Sequence, residues 1–130
     1  MSYKTIPDEL NKLSTKVIGL AIKVHSSLGP GLLESSYKEC LFYEIMMAGF
    51  FAEKEKALPL IYETVKLEIG YRIDILVENK LVIEIKAVDM LAEVHSAQIL
   101  TYLKLSGNRL GLLLNFNVKL LKDGIKRLVL

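Results

Sequence analysis

An aspartate, a glutamate and a lysine interrupt one of the most apolar stretches of this chain. In YRIDILVENKLVIEIKAV, from Tyr71 to Val88, two runs of strand-forming residues flank a polar turn. Val, Ile and Tyr suit pleated, half-buried positions, and Asp is depleted there. Strand side chains alternate between faces, which groups Tyr71, Ile73, Ile75 and Val77 on one side and Arg72, Asp74 and Leu76 on the other. Pairing register then decides what the charged groups meet. A two-residue loop at Asn79-Lys80 would set Asp74 against Ile85. A three-residue loop, Glu78-Asn79-Lys80, sets Val77 against Leu81, Ile75 against Ile83 and Ile73 against Ile85. Asn79 tolerates the left-handed backbone that such loops use. This register predicts Asp74 opposite Glu84 and Arg72 opposite Lys86.

Directly opposed carboxylates destabilise an exposed sheet by up to about 1 kcal/mol, and by more when buried. Two arrangements relieve the repulsion. Arg72 and Lys86 can neutralise the acids on an ordinary solvated face, the commoner fate of a lone acid–lysine pair. Alternatively, a divalent cation sits between the acids. Mg²⁺ takes one or two carboxylates and completes its shell with water and substrate phosphate. Lys86, two residues along the same face from Glu84, would then point at the same water or phosphate.

Other polar residues could join them. His95, Gln98 and Tyr102 form one stripe of a helical segment whose Leu91, Val94, Ile99 and Leu103 are apolar. By spacing alone that stripe reads as a half-exposed edge. Glu34 falls in the first turn of a helix, where the dipole favours an acid. It shares a stripe with Tyr37, Leu41 and Ala48, which predicts an inward-pointing carboxylate. His25, near the end of an earlier helix, reads as structural. Lys119, Lys122, Lys126 and Arg127 make a basic C-terminal end, read as a solvated face.

The elements that must position these groups follow from periodicity. Leu10, Leu13, Val17, Leu20, Val24 and Leu28 recur at helical steps, with Pro7, Asp8 and Glu9 suited to a first turn and LGPG to a stop. A second helix is expected from about Leu32 to Ala48, with Gly49 as its cap. Short strands follow near Phe50–Lys54 and Leu58–Tyr62, with a turn at Glu63 and Thr64, and then the two strands of the opening stretch. A third helix ends at Gly107. RLGLLLNF is a continuous apolar run, the pattern of a strand buried on both faces, and IKRLVL is a last short strand after an LKDG turn. The order ααββββαββ predicts an α/β domain with helices on a central sheet.

Composition bounds the rest. With 130 residues, the chain is sized for a single domain, 1–130. Hydrophobic residues make up 52% and charged residues 25%, which excludes disorder. A net charge of +2 permits a nucleic-acid partner without requiring one. The single cysteine, Cys40, excludes an internal disulfide and a cysteine zinc cluster, and suggests a reducing, cytoplasmic setting. The polar start does not resemble a signal sequence, and no apolar run approaches the ~18 residues of a membrane span.

Several segments together resemble one family. GLLESSY, with Gly31, Glu34 and Tyr37, matches the pattern that names the GxxExxY proteins. VHSSLGPG, the Tyr71–Val88 hairpin, HSAQILTYLKLSG and LGLLLNF…LKDGIKRLV are similar to the same family, so the resemblance spans nearly the whole chain. That family is grouped with the PD-(D/E)xK nuclease superfamily, whose restriction-endonuclease-like core is αβββαβ; the expected architecture is this core with an extra N-terminal helix. The resemblance implies a Mg²⁺- or Mn²⁺-dependent nuclease acting on DNA, with RNA second. Asp74 and Glu84 would be metal ligands, with Glu34 as a further one, and Lys86, Gln98 and Tyr102 would be catalytic. Arg72 and His95 would contact phosphate. Ile73 stands where the motif's proline would be. The superfamily also contains members that only bind or scaffold. The alternative is therefore a catalytically silent nucleic-acid-binding or assembly module, with a homodimer or a protein partner supplying target choice.

Overall fold

The computed structural model describes residues 5–68 and 70–130. Helix α1 spans Asp8–Leu28, with Pro7 before it and Asp8 and Glu9 in its first turn. Its apolar stripe buries Leu10, Leu13, Val17 and Val24, as the periodicity predicts, and Gly29 at φ +69° ends it. Helix α2, Glu34–Met47, packs beside α1 and buries Tyr37, Leu41 and Ile45 at strict four-residue spacing. Five further strands and helix α3 include the predicted hairpin: β1 Ala52–Ala57, β4 Arg72–Val77, β5 Leu81–Lys86, α3 Glu93–Ser106, β6 Leu110–Asn115 and β7 Ile125–Val129, with a 3₁₀ turn at Leu121–Gly124 before β7. The remaining strands, β2 Leu60–Tyr62 and β3 Val65–Leu67, form a small hairpin of their own.

The main sheet has the order β1-β4-β5-β6-β7, with β5 and β6 parallel and all other pairs antiparallel. A parallel neighbour needs a crossover, which α3 supplies. Apolar clusters cover both faces. One joins α1 and α2 to Ile75, Ile83, Leu112 and Phe116; the other joins Ile99, Tyr102 and Leu103 of α3 to Val82 and Leu113. Strand β6 is buried throughout, which explains its unbroken apolar run. Taken in order, α2, β1, β4, β5, α3 and β6 make the expected αβββαβ core. The leading helix is α1, and β7 is added at the far edge. The sequence reading has one strand too few. The Glu63–Thr64 turn is present, but the chain beyond it pairs back as β3, with Leu60 opposite Leu67 and Tyr62 opposite Val65.

The turn between β4 and β5 is the three-residue one. Glu78 and Asn79 take φ of +54° and +56°, and the Lys80 amide donates to the Val77 carbonyl at 3.0 Å. Val77 pairs with Leu81, Leu76 with Val82 and Ile75 with Ile83. There the β4–β5 ladder ends, so the expected Asp74–Glu84, Ile73–Ile85 and Arg72–Lys86 pairs do not form. Alternation also fails at this point. Ile75 packs on the α1–α2 side, whereas Ile73 packs with Leu76 and Val82 beneath α3. The irregularity reaches β1. Lys54 pairs with Ile75 and Lys56 with Ile73, and the intervening Glu55 has a left-handed φ of +51° across from Asp74.

Candidate active site

Where the ladder stops, the acids replace its hydrogen bonds. Glu84 Oε2 accepts from the Asp74 amide at 2.8 Å, and Asp74 Oδ2 accepts from the Ile85 amide at 2.8 Å. Each carboxylate satisfies a backbone donor that strand separation would orphan. The exchange holds the two side chains together at the mouth of the splayed strands. The other oxygen of each acid makes no hydrogen bond among the described residues, and no buried side-chain polar atom there lacks a partner.

Burial makes this pair electrostatically tense. Glu84 is only 3% exposed. Desolvation, and after it the Asp74 charge, push its carboxyl up to about 8, against the Asp74 amide bond and Lys86. Desolvation also raises Asp74, opposed by the Ile85 amide and the charges of Lys38 and Lys86. Tyr102 is raised by burial and then by Glu84. A site that penalises two anions favours whatever positive charge enters it.

Helix α3 brings the lysine's partners. Lys86 Nζ lies 3.4 Å from Gln98 Oε1, and Gln98 Nε2 donates to the Tyr102 hydroxyl at 3.2 Å. The Gln98 and Tyr102 positions, one turn apart, thus serve a lysine on the neighbouring strand. Tyr71 packs edge-on against Tyr102, with ring centroids 6.4 Å apart. Asn115, opposite Lys86 on β6, clamps the chain leaving β5. Its Oδ1 accepts from the Val88 amide at 3.1 Å, and its Nδ2 donates to the Val88 carbonyl at 2.9 Å.

Five predicted residues therefore converge: Asp74, Glu84, Lys86, Gln98 and Tyr102. Three stand apart from that cluster. Glu34 is the first residue of α2 and is exposed, which corrects the inward orientation expected from its stripe. Tyr37 is the member of GLLESSY that turns inward; it stacks on Phe116 at 4.6 Å and donates its hydroxyl to the Gly29 carbonyl at 2.5 Å. His95 commits Nδ1 to the Ala92 amide at 2.9 Å and so caps α3. Exposed Arg72 donates to the Glu55 carbonyl at 3.3 Å. His25 is structural, its Nε2 being 2.7 Å from the Val118 carbonyl. Sequence reasoning missed Lys38, Glu55 and Asn115. Lys38 stands one turn after Glu34, the only signal for it; nothing local marks Glu55 or Asn115.

A buried and a half-buried carboxylate, Glu84 and Asp74, offer hard oxygen donors that match the chemistry of a divalent cation that keeps much of its water. Among the described residues no group of three or more His, Cys, Asp or Glu side chains converges for an ion. A cation held there would have Asp74 and Glu84 as its protein ligands, and water and phosphate oxygens would fill the rest of its shell.

A five-stranded mixed sheet between helices, opening at an acid pair with a lysine beside it, defines the nuclease-like class of α/β domains. The profile of the PD-(D/E)XK nuclease superfamily matches residues 11–128, and the chain belongs to that superfamily. Its nucleases typically use divalent metal ions. No curated protein and no solved structure matches the chain. No described helix is long and apolar enough to cross a membrane.

Proposed function

We propose that this protein is a Mg²⁺- or Mn²⁺-dependent phosphodiesterase that cleaves DNA, with RNA as the second candidate substrate. The carrying observation is the reciprocal bonding of Asp74 and Glu84 to each other's strands, with Lys86 held alongside by Gln98. Asp74 and Glu84 would hold the ion, whose bound form supplies Lewis-acid stabilisation of phosphoryl charge and a more acidic water. Lys86 Nζ orients the attacking water and stabilises negative charge on the phosphorane-like transition state. Gln98 fixes Lys86 and is itself fixed by the Tyr102 hydroxyl, so both act as positioning groups in the absence of substrate. Glu34 reaches the ion through water, in keeping with its exposure. Arg72, and His95 through its free ring nitrogen, contact flanking phosphates. The spacing of Gly31, Glu34 and Tyr37 supports a place for the chain in the GxxExxY branch of the superfamily.

One feature favours a binding module. The β2–β3 hairpin presents Ile61, Tyr62 and Val65 to solvent, a surface suited to a protein partner or a second copy. Calorimetric titration of Mg²⁺ and Mn²⁺ separates the readings. The enzyme reading expects one saturable site in the wild type that Asp74→Asn removes; no heat in either protein supports the silent module.

A further inference from the structure

Lys38 and Glu55 lie at the edge of the acid pair, and the mechanism above uses neither. Lys38 comes from α2, the layer opposite α3, and its Nζ meets Glu55 Oε1 at 2.5 Å. The lysine side chain is only 16% exposed, less than the lysine of any other ion pair among the described residues. Glu55 reaches it from an unusual backbone. A φ of +51° is uncommon for a glutamate inside a strand and costs on the order of 1 kcal/mol or more. The flanking pairs Lys54–Ile75 and Lys56–Ile73 place Glu55 on β1 at the position facing Asp74 of β4. Arg72 holds this backbone by donating to the Glu55 carbonyl. Asp74 thus has Glu84 and Lys86 on its β5 side and a Glu55–Lys38 pair on its β1 side. The charge of Lys38 already reaches Asp74 and favours its ionised form.

An ammonium paired with a carboxylate at the rim of a phosphodiesterase site is a phosphate site with a stand-in anion. Carboxylate and phosphate oxygens accept from lysine in the same way, and successive phosphates of one strand follow at about 3.4 Å per step along the axis. We propose that Lys38 forms a second phosphate subsite, closed by Glu55 until a nucleic-acid strand displaces that carboxylate and places a neighbouring phosphodiester on the Lys38 ammonium. The proposal rests on the nuclease reading and adds to it a direction: the strand runs across the sheet mouth, from Lys86 past Asp74 to Lys38.

The test is a double-mutant cycle read by binding. Fluorescence anisotropy with a labelled single-stranded and a labelled duplex oligonucleotide, in Ca²⁺ over a salt series, is run on wild type, Lys38→Met, Glu55→Gln and the double variant. The subsite predicts that Lys38→Met weakens binding and lowers the salt slope by about 0.7 on single strands or 0.9 on duplex, the loss of one phosphate contact. Glu55→Gln tightens binding by about two- to fivefold, the range of one ion pair, and this gain vanishes in the double variant. A general field effect of removing an acid would persist without Lys38, and that result overturns the subsite. So does an unchanged salt slope in Lys38→Met. Lys38→Gln repeats the measurement should the methionine variant fold poorly. Mn²⁺-dependent cleavage by wild type with an unchanged Lys38→Met slope removes the subsite alone. Absence of both cleavage and binding removes the nuclease reading as well.

Discussion

Glu84 is the residue on which the site's electrostatics turn. Its neighbours are another acid, an amide and a lysine, and burial wins over the last two, lifting the carboxyl to about 8. The unfolded chain releases this proton in the ordinary carboxylate range, about 4.3. Between that range and about 8 the folded state binds more protons, so stability falls as pH rises through the window. Asp74, raised for the same reason, adds in the same direction. Thermal melts of the metal-free protein are therefore expected to decline from pH 5 to about pH 8 and to level off above it. Glu84→Gln keeps an acceptor for the Asp74 amide and removes the charge. Its melting temperature should exceed the wild type's at the alkaline end and converge with it near pH 5. An equal gap at every pH would contradict the assignment. At this scale the sequence was most legible. Asp74, Glu84 and Lys86 stood out because charged residues are out of place in a β-rich run, and one turn residue more or less decided their alignment. Glu34 was misread because position on a helix stripe ignores that a first-turn residue can project past the core. Lys38 and Glu55 were invisible because their meeting depends on packing between α2 and β1.

The elements hold the site through close approaches that leave no room for a side chain. A Cβ on Gly124, in the 3₁₀ turn, would lie 2.2 Å from the Asn115 carbonyl oxygen. That backbone cannot retreat without moving Asn115, which clamps Val88 beyond Lys86. Gly124→Ala should cost about 2–3 kcal/mol of stability by denaturant titration, at the upper end of overpacking effects, and lower turnover with it. On the other face, a Cβ on Gly111 would meet the tip of the Ile99 side chain, Cδ1, at 2.8 Å, so an alanine there need only turn that side chain aside, whereas a branched residue crowds β6 against α3. Gly111→Val should push α3, and with it Gln98 and Tyr102, away from Lys86. The expected result is a loss of kcat larger than the change in binding; unchanged kcat with full stability loss would make α3 merely a cover. Helices and strands were readable from periods of 3.6 and 2. The break in alternation at Asp74 was not, because strand patterns assume that the ladder continues. The lost β3 shows the same limit, since exposed three-residue strands carry no burial pattern.

At the scale of the whole molecule, the main sheet presents the acid pair and its lysine at one mouth and buries its central strands β5 and β6 between helices. The fold class was recoverable from element order because an αβββαβ sequence leaves few ways to bury a β-rich centre. The inserted β2–β3 hairpin and the trailing β7 are additions that leave that centre unchanged. Ion binding couples to the stability of this whole unit by mass action. At pH 8, Mn²⁺ at about 100 times its Kd should stabilise the fold by about 2.7 kcal/mol, and Asp74→Asn should lose the effect.

The proposed function requires that this arrangement cleave phosphodiesters. The direct measurement incubates purified protein with single- and double-stranded DNA and RNA in Mg²⁺ or Mn²⁺, beside Lys86→Ala at equal concentration and confirmed fold. The proposed function predicts metal-dependent cleavage by the wild type, abolished by EDTA and reduced about 10²- to 10³-fold in the variant, the range for loss of one preorganised charge-stabilising donor. Intact substrates in every lane, or equal cleavage by wild type and Lys86→Ala, would contradict it.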